Sequence, residues 1–375
     1  MALQASGGNP PTNSISFGQI ENEFGQNSTR SLGSYRMNDL NIGALTEVSL
    51  DRDGAGISAN SSIPVDNQTI KFSDFYSSRL NVIIDCHTSN QNRVHAKNDK
   101  YNAVNPSGNF TVIGGGPKPS NTNGKKIIIH VNKQIGSTSG NINTCALRTG
   151  TWNNGTDLRV EIANSGIIAG AGGNGGEGGG IEGAGGIPGG DGSSGLGIQY
   201  TGGTTIVTTE GNGKIVAGGG GGGGAGRGFG KTERSPKPLI TAEGGGGGGG
   251  AGIPAGSGGA AGQTNTGQYG FGGEVGDSGT ATTGGEGGFG AERDQGGEGN
   301  NTFGGAGGDG GNSGAGGGNG GTGGGGGGEW ENGPYFQGGQ AGGSAGSAIR
   351  RVSGAPVPNT GGAATTGSTD QIGVS

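Results

Sequence analysis

Residues 304–328 read GGAGGDGGNSGAGGGNGGTGGGGGG, and a glycine occupies every third position of this stretch without a break. A period of three is that of a polyproline-II-like helix, which has three residues per turn and no internal hydrogen bonds. The repeat therefore predicts an extended glycine rod. Its scaffold glycines are Gly305, Gly308, Gly311, Gly314, Gly317, Gly320, Gly323 and Gly326.

The composition limits how such a rod could be stabilised. The chain has 103 glycines among 375 residues and 27% hydrophobic residues, so an ordinary apolar core cannot extend over its whole length. Disorder is one alternative for a chain of this kind. A bundle is the other, because backbones without Cβ atoms can approach closely enough to bond to one another. The predicted rods are 166–197, 217–230, 243–262, 284–299, 304–328 and 338–347.

The sequence divides into four stretches. Residues 1–80 are polar and contain SISFGQI and TIKFSDFY, which predict small docking elements or short strands. Residues 81–165 carry the strand patterns NVIID, NFTVIG, KKIIIHV and DLRVEI and form the predicted β-rich domain. Residues 166–349 hold the rods and loops, with a strand-like TTIVTT among them, and 350–375 form a polar tail. The predicted fold is therefore all-β plus a bundle of glycine rods, with almost no α-helix.

One junction between a strand and a rod occurs twice. DLRVEIANSGIIAGAGG at 157–173 and TTIVTTEGNGKIVAGGGG at 204–220 share a strand, a turn with Asn and Gly, an apolar pair and a glycine run. Two copies of one plan predict that the junctions stack side by side.

These junctions carry a family resemblance. IIAGAGGNGG, IVAGGGGGGGAG and the closing GGQAGGSAGSAIR resemble the glycine-rich tail-fibre proteins and tip adhesins of tailed bacteriophages. SISFGQIENEFG and IPVDNQTIKFSDFY are similar to a polar module at the start of phage tail structural proteins. The resemblance implies a polyglycine-II bundle whose loops recognise the host cell, and attachment to other tail or baseplate proteins through residues 1–80.

Receptor contacts are expected in the loops between rods, because loops on a rigid scaffold carry binding residues. The loops are 227–243, 263–283, 286–303 and 329–337. Flat aromatic rings beside polar side chains suit sugar binding, although the same rings could instead cap the ends of rods. The candidate contacts are Trp330, Tyr335, Phe336, Tyr269, Phe271, Arg293, Arg227 and Lys231.

No catalytic, cofactor or metal site is predicted. His87, His95, His130, Cys86 and Cys145 lack the paired spacing of metal ligands and suit structural roles. No nucleophile, base and orienting acid can be assigned, and the sequence does not present the large β-helix with carboxylate-rich clefts of a depolymerising tailspike. We therefore expect a protein that is not an enzyme.

The remaining function classes are three. The net charge of −6 disfavours nucleic acid, and no apolar run is long enough to span a membrane. The leading hypothesis is a virion receptor-binding adhesin, made in the host cytoplasm, carried on the tail and possibly homotrimeric. A purely structural tail component and an ice-binding glycine-rod protein are the alternatives.

Overall fold

The structure is a computed structural model. It describes residues 14–24, 32, 51–52, 69–75, 78–79, 81–86, 91–92, 94–95, 111–113, 121–180, 185–231, 239–263, 270–293, 302–314, 337–352, 354–366 and 368–372. The described part is nearly all β. No helix in these ranges is long and apolar enough to cross a membrane.

Short strands make up the regular structure. They are β1 (Asp51–Arg52), β2 (Ser78–Arg79), β3 (Asn81–Cys86), β4 (Gln91–Asn92), β5 (Val94–His95), β6 (Thr111–Ile113), β7 (Lys126–Val131), β8 (Gln134–Gly136), β9 (Cys145–Arg148), β10 (Asp157–Ile162), β11 (Ile167–Ala169), β12 (Ser194–Ile198), β13 (Ile206–Thr209), β14 (Lys214–Val216), β15 (Gly228–Lys231), β16 (Leu239–Ala242), β17 (Gly270–Phe271), β18 (Glu292–Arg293), β19 (Thr302–Phe303), β20 (Ser347–Arg351), β21 (Thr365–Thr366) and β22 (Ser368–Ile372).

Three five-stranded sheets form a parallel β-solenoid. Their orders are β13-β10-β7-β3-β6, β21-β14-β11-β8-β4 and β22-β20-β12-β9-β5. Successive coils contribute one strand to each sheet, as β7-β8-β9 and β10-β11-β12 do, and the pairings between coils are parallel. Only β6 among these strands pairs antiparallel, with β3. Strand patterns in the sequence predicted a β-rich domain but not this solenoid, because the glycine segments interrupt its coils.

Apolar ladders fill the solenoid. On the first sheet Ile84, Ile129, Val160 and Val207 lie in register from coil to coil, and all are fully buried. The other two sheets add the ladders Ile135-Ile168-Ile215 and Leu147-Leu196-Ile349. Alternation along each strand points one side chain in two inward, and stacking of coils places like residues against each other. These ladders supply the apolar core that the glycine-rich stretches lack.

The two junctions between strands and rods stack as predicted. Val160 of β10 is in register with Val207 of β13. Ile168 of β11 is in register with Ile215 of β14. The strand-like TTIVTT is therefore part of the solenoid and not an insertion among the rods. The solenoid extends across the predicted domain boundaries at residues 165 and 349. Strands lie on both sides of each boundary, because β12, β13, β14, β21 and β22 belong to the same three sheets.

Helical turns replace the short strands expected near the N-terminus. An α-helix, α1, spans Phe17–Phe24, and a 3-10 turn spans Phe72–Phe75. Ser16 and Gln19 form a capping box, in which the Gln19 backbone N–H donates to Ser16 Oγ and the Ser16 N–H donates to Gln19 Oε1. Ile15 and Ile20 flank this cap and are buried in the same apolar cluster as the solenoid ladders. The capping box was the sequence signal for a helix, and it outweighs the apolar alternation.

Extended glycine segments connect the solenoid strands. The connection from β11 to β12 carries 170–180 and 185–193, and the connection from β14 to β20 carries 217–227, 244–252, 254–263, 272–280, 283–291, 304–314 and 338–346. These segments lie side by side and exchange backbone hydrogen bonds. We call this assembly the glycine bundle, and residues 244–252 its central segment.

Every backbone N–H of the central segment donates to a neighbouring segment. Segment 170–180 accepts from Gly244, Gly247 and Gly250. Segment 304–314 accepts from the residue that follows each of these three glycines, and segment 272–280 accepts from the residue after that. Its carbonyl oxygens, together with that of Glu243, accept from three further segments, 217–227, 254–263 and 283–291. The direction of bonding thus repeats every three residues.

The neighbours of the central segment form a closed ring. Around it lie 170–180, 254–263, 272–280, 283–291, 304–314 and 217–227, and each bonds to the next. Two of the six contacts that close this ring are Gly173 N–H to Gly219 O at 2.9 Å and Gly307 N–H to Gly288 O at 2.9 Å. Gly247, in the middle of the ring, must be glycine, because a Cβ there would overlap the carbonyl of Gly222.

Some predicted rod boundaries need correction. Residues 272–280, expected within a display loop, belong to the bundle, and the stretch 284–299 leaves the bundle after Ala291. An outer segment faces the centre with one residue in three, so Gly273, Gly276 and Gly279 suffice. The expected rod 166–197 is two antiparallel segments, since Ile187 and Gly190 donate to Glu177 and Asn174.

Candidate functional site: the distal end of the glycine bundle

The bundle has two different ends. At the proximal end its segments join the solenoid strands β11, β12, β14 and β20. At the opposite, distal end Ala291 N–H donates to Glu243 O, Gly304 N–H donates to Ala291 O and Gly244 N–H donates to Gly179 O. The connections 181–184, 228–242, 264–271 and 292–303 therefore all leave and re-enter the bundle here. Gln337, the last residue of the predicted loop 329–337, is placed at the same end by its N–H donation to Arg227 O.

Short β-ribbons begin the distal connections. β15 pairs antiparallel with β16, and β17 pairs parallel with β16, so the connections 228–242 and 264–271 share one small sheet. β18 pairs antiparallel with β19 and forms the base of 292–303. These pairings satisfy backbone groups where the bundle ends.

A buried ion pair lies at the base of the distal end. Arg227 Nε is 3.7 Å from Glu243 Oε2, and the two side chains are 5% and 0% exposed. Arg227 Nη1 also donates to Gly180 O at 2.7 Å. The pair joins the first and last residues of the predicted loop 227–243.

Burial has the largest effect on the pKa of the Glu243 carboxyl group. Desolvation raises the pKa of its carboxyl group, while the charge of Arg227 and a hydrogen bond from Thr241 act in the opposite direction. Both charges are buried, and loss of either one would leave the other buried without its partner, which is costly. The pair therefore has a structural role.

Arg227 does not fit the predicted contact set. Its side chain is buried against Glu243 and Gly180, so it does not reach a receptor from the described structure. Lys231 ends β15 opposite Leu239, Phe271 lies in β17 opposite Ala242, and Arg293 lies in β18 opposite Thr302. These three residues are thus brought to the distal end.

The other predicted contacts are Tyr269, Trp330, Tyr335 and Phe336, and they lie outside the described residues. Gln337, immediately after Phe336, lies at the distal end.

Exposed apolar side chains on the bundle were not among the predicted contacts. Phe289 is 70% exposed and Val275 is 66% exposed. Both occupy outward positions of their segments, whereas inward positions such as Gly288 face a neighbouring segment. The available sequence signal for these exposed side chains was the glycine register, because the residues between the inward glycines lie at outward positions.

The scaffold glycines that the structure describes face the interior. Gly305, Gly308 and Gly311 are buried and donate to Gly226, Gly223 and Gly220. Gly314 ends this segment with a left-handed φ of 75°. The remaining scaffold positions, Gly317, Gly320, Gly323 and Gly326, lie outside the described residues.

Polar side chains close the grooves between outer segments. Asp309 Oδ1 accepts from the Gly287 N–H at 3.0 Å, and Asn174 Oδ1 accepts from the Ser257 N–H at 3.1 Å. Asn312, Asp191 and Ser278 accept from neighbouring N–H groups in the same way. Inside the bundle a backbone N–H donates to a backbone carbonyl, whereas at the surface it donates to a side-chain oxygen. The outer segments are thus protected in the way that the edge strands of a β-sheet are.

Comparisons with known proteins give one similarity. No family model matches the chain, and no curated protein matches it. The chain is similar to the crystal structure of the gp37-gp38 adhesin tip complex of the bacteriophage S16 long tail fiber. The similarity covers 83% of this chain and 88% of that one, with 16% identity and a TM-score of 0.31.

Proposed function

We propose that the chain is a tail-fibre or tail-tip adhesin of a tailed bacteriophage and recognises the host surface through its distal end. One observation carries the proposal: the connections 181–184, 228–242, 264–271 and 292–303 all emerge at the end opposite the solenoid. A rigid scaffold that presents several loops at one end is the usual arrangement of a recognition surface. The ligand would be a surface glycan or an outer-membrane protein.

We infer that the glycine segments are polyglycine-II helices. The support is the threefold rotation of hydrogen bonds along 244–252 and the ring of six neighbours. At about 3.1 Å per residue such a helix would hold the distal end roughly 28 Å from the solenoid over these nine residues. The bundle would then act as a stiff spacer between the solenoid and the recognition loops.

Residues 1–80 are proposed to dock the protein to other tail or baseplate proteins. The support is the position of α1 and the 3-10 turn, whose Ile20 and Phe75 join the apolar cluster of the solenoid. Phe17 and Phe72 of these two elements meet edge to face at 6.4 Å between ring centroids. A docking end on the solenoid and a recognition end on the bundle suit a virion tail protein that is made in the host cytoplasm, has no enzymatic activity and assembles as a homotrimer.

The ice-binding alternative receives less support. It requires a flat face of regularly spaced small residues. On segments 272–280 and 283–291 the outward positions instead carry Glu274, Val275, Glu286 and Phe289, all exposed. Charged and bulky side chains interrupt that face.

Binding of purified protein to host cells tests the adhesin proposal. The double variant Trp330→Ala, Tyr335→Ala is expected to lose about tenfold or more in affinity, because aromatic anchors dominate recognition surfaces. Phe289→Ala, which removes an exposed ring from the side of the bundle, is the matched control and is expected to change affinity less than about twofold.

Circular dichroism must show the same fold for all three proteins. Loss of binding in the control alone would move the contact to the side of the bundle. Absence of wild-type binding to any host cell would contradict the adhesin proposal and favour a purely structural tail component.

A further inference from the structure

We propose that Arg227 and Glu243 form a positioning hub that fixes the distal connections relative to one another. The inference rests on the proposed function, since it assigns how the recognition loops are held. Neither residue can contact a ligand directly, because both side chains are buried. Their role is therefore exerted through the segments that they join.

Arg227 contacts two connections besides its own. Its guanidinium Nη1 donates to Gly180 O at 2.7 Å, at the residue that precedes 181–184. Its carbonyl oxygen receives the N–H of Gln337. Arg227 also immediately precedes β15, which begins the connection 228–242. Arg227 therefore links the starts of the connections 181–184 and 228–242 with residue 337, where the chain re-enters the bundle.

Glu243 and the residue after it contact the remaining distal connections. Its carbonyl oxygen accepts the Ala291 N–H at 3.0 Å, directly before β18. The next residue, Gly244, accepts from Gly262 and donates to Gly179, at the bases of 264–271 and 181–184. The ion pair from Arg227 Nε to Glu243 Oε2 at 3.7 Å connects these two sets of contacts.

The two charges of the pair serve to orient the distal connections. A buried ion pair adds little net stability, because desolvation offsets its attraction, and apolar residues of similar volume often serve as well. The planar guanidinium, in contrast, donates to the Gly180 carbonyl in a fixed direction while its charge faces the Glu243 carboxylate at 3.7 Å. We therefore assign the pair to the geometry of the distal end and not to the stability of the bundle.

The test compares Arg227→Met, Glu243→Gln and the double variant by thermal unfolding and by hydrogen exchange of 228–231, 239–242, 292–293 and 302–303. Each single variant is expected to lower the melting temperature, because it leaves one buried charge without its partner. The double variant is expected to recover most of the melting temperature while the distal ribbons still exchange at least about tenfold faster than in the wild type. That separation marks positioning, since a purely structural role would make exchange follow stability.

Arg350→Met is the matched control. Arg350 is also a buried arginine and donates to Asn143 Oδ1 at 3.0 Å, but it lies in β20 of the solenoid. Its loss should affect melting without a selective effect on the distal ribbons. Wild-type exchange in the double variant would overturn the hub. Failure of the wild type to bind host cells would overturn the adhesin proposal and leave the exchange result for the hub intact.

Discussion

Gly247→Ala is expected to disrupt the glycine bundle. Gly247 lies in the middle of the central segment, where its N–H donates to Gly176 O at 2.8 Å and its carbonyl accepts from Gly259 at 2.7 Å. A Cβ at this position would overlap the carbonyl group of Gly222, which is backbone and cannot rotate away. The expected cost is at or above the upper end of the usual range of about 1–3 kcal/mol for overpacking.

The measurement is chemical denaturation of Gly247→Ala beside Gly338→Ala. Gly338 is exposed, and no atom lies within 4 Å of the position that its Cβ would occupy. Its substitution is expected to change the unfolding free energy by less than about 1 kcal/mol and in the stabilising direction. Equal effects of the two substitutions would contradict a bundle with a closed interior.

Ile129→Ala is expected to cost about 2–5 kcal/mol, as truncation of a fully buried aliphatic side chain does elsewhere. Ile129 is in register with Ile84 on one side and Val160 on the other, and all three are fully buried. The cavity would open within the ladder that joins three coils. Because the bundle is inserted between strands of the same solenoid, the bundle is also expected to lose protection when the coils separate.

Val357→Ala is the comparison for this second substitution. Val357 is 55% exposed, so its truncation should cost less than about 0.5 kcal/mol. Denaturation followed by both far-ultraviolet circular dichroism and hydrogen exchange would report the solenoid and the bundle together. A solenoid that melts while the bundle keeps its protection would show that the two parts are independent.

Local patterns in the sequence predicted the elements better than their assembly. The triplet register at Gly305 marks a segment that lies in the glycine bundle, and the paired junctions at 157–173 and 204–220 predicted that the two copies stack, because each of these patterns is local. The solenoid escaped prediction, since β12 pairs with β20 across the inserted segments, as the register of Leu196 with Ile349 shows. No local pattern specifies a register between such distant residues.

The boundary of the bundle was underestimated for a related reason. Residues 272–280 carry a glycine at each position that faces inward, while their Glu, Val, Asp and Ser residues are typical of a loop. An outer segment has solvent on one side, so its remaining positions tolerate side chains. The spacing of Gly273, Gly276 and Gly279 was the available signal.

The receptor contacts at the distal end stay a prediction, although the structure brings several of the predicted residues to that end. The sequence placed the loop 227–243 correctly between two glycine segments, and the structure brings Lys231 and Arg293 to the same end. Arg227 was misread because a charge at the edge of a loop usually faces solvent. Its partner Glu243 stands at the other edge of that loop, and their pairing depends on the antiparallel ribbon between them.

Hydrogen exchange of Gly244 to Gly252 tests the central claim most directly. In the structure every one of these backbone N–H groups donates to a carbonyl of a neighbouring segment. A hydrogen-bonded bundle therefore predicts exchange at least about a hundredfold slower than that of an unstructured glycine chain across all nine residues. Exchange at the unstructured rate in the folded protein would contradict the bundle and, with it, the rigid presentation of the distal loops.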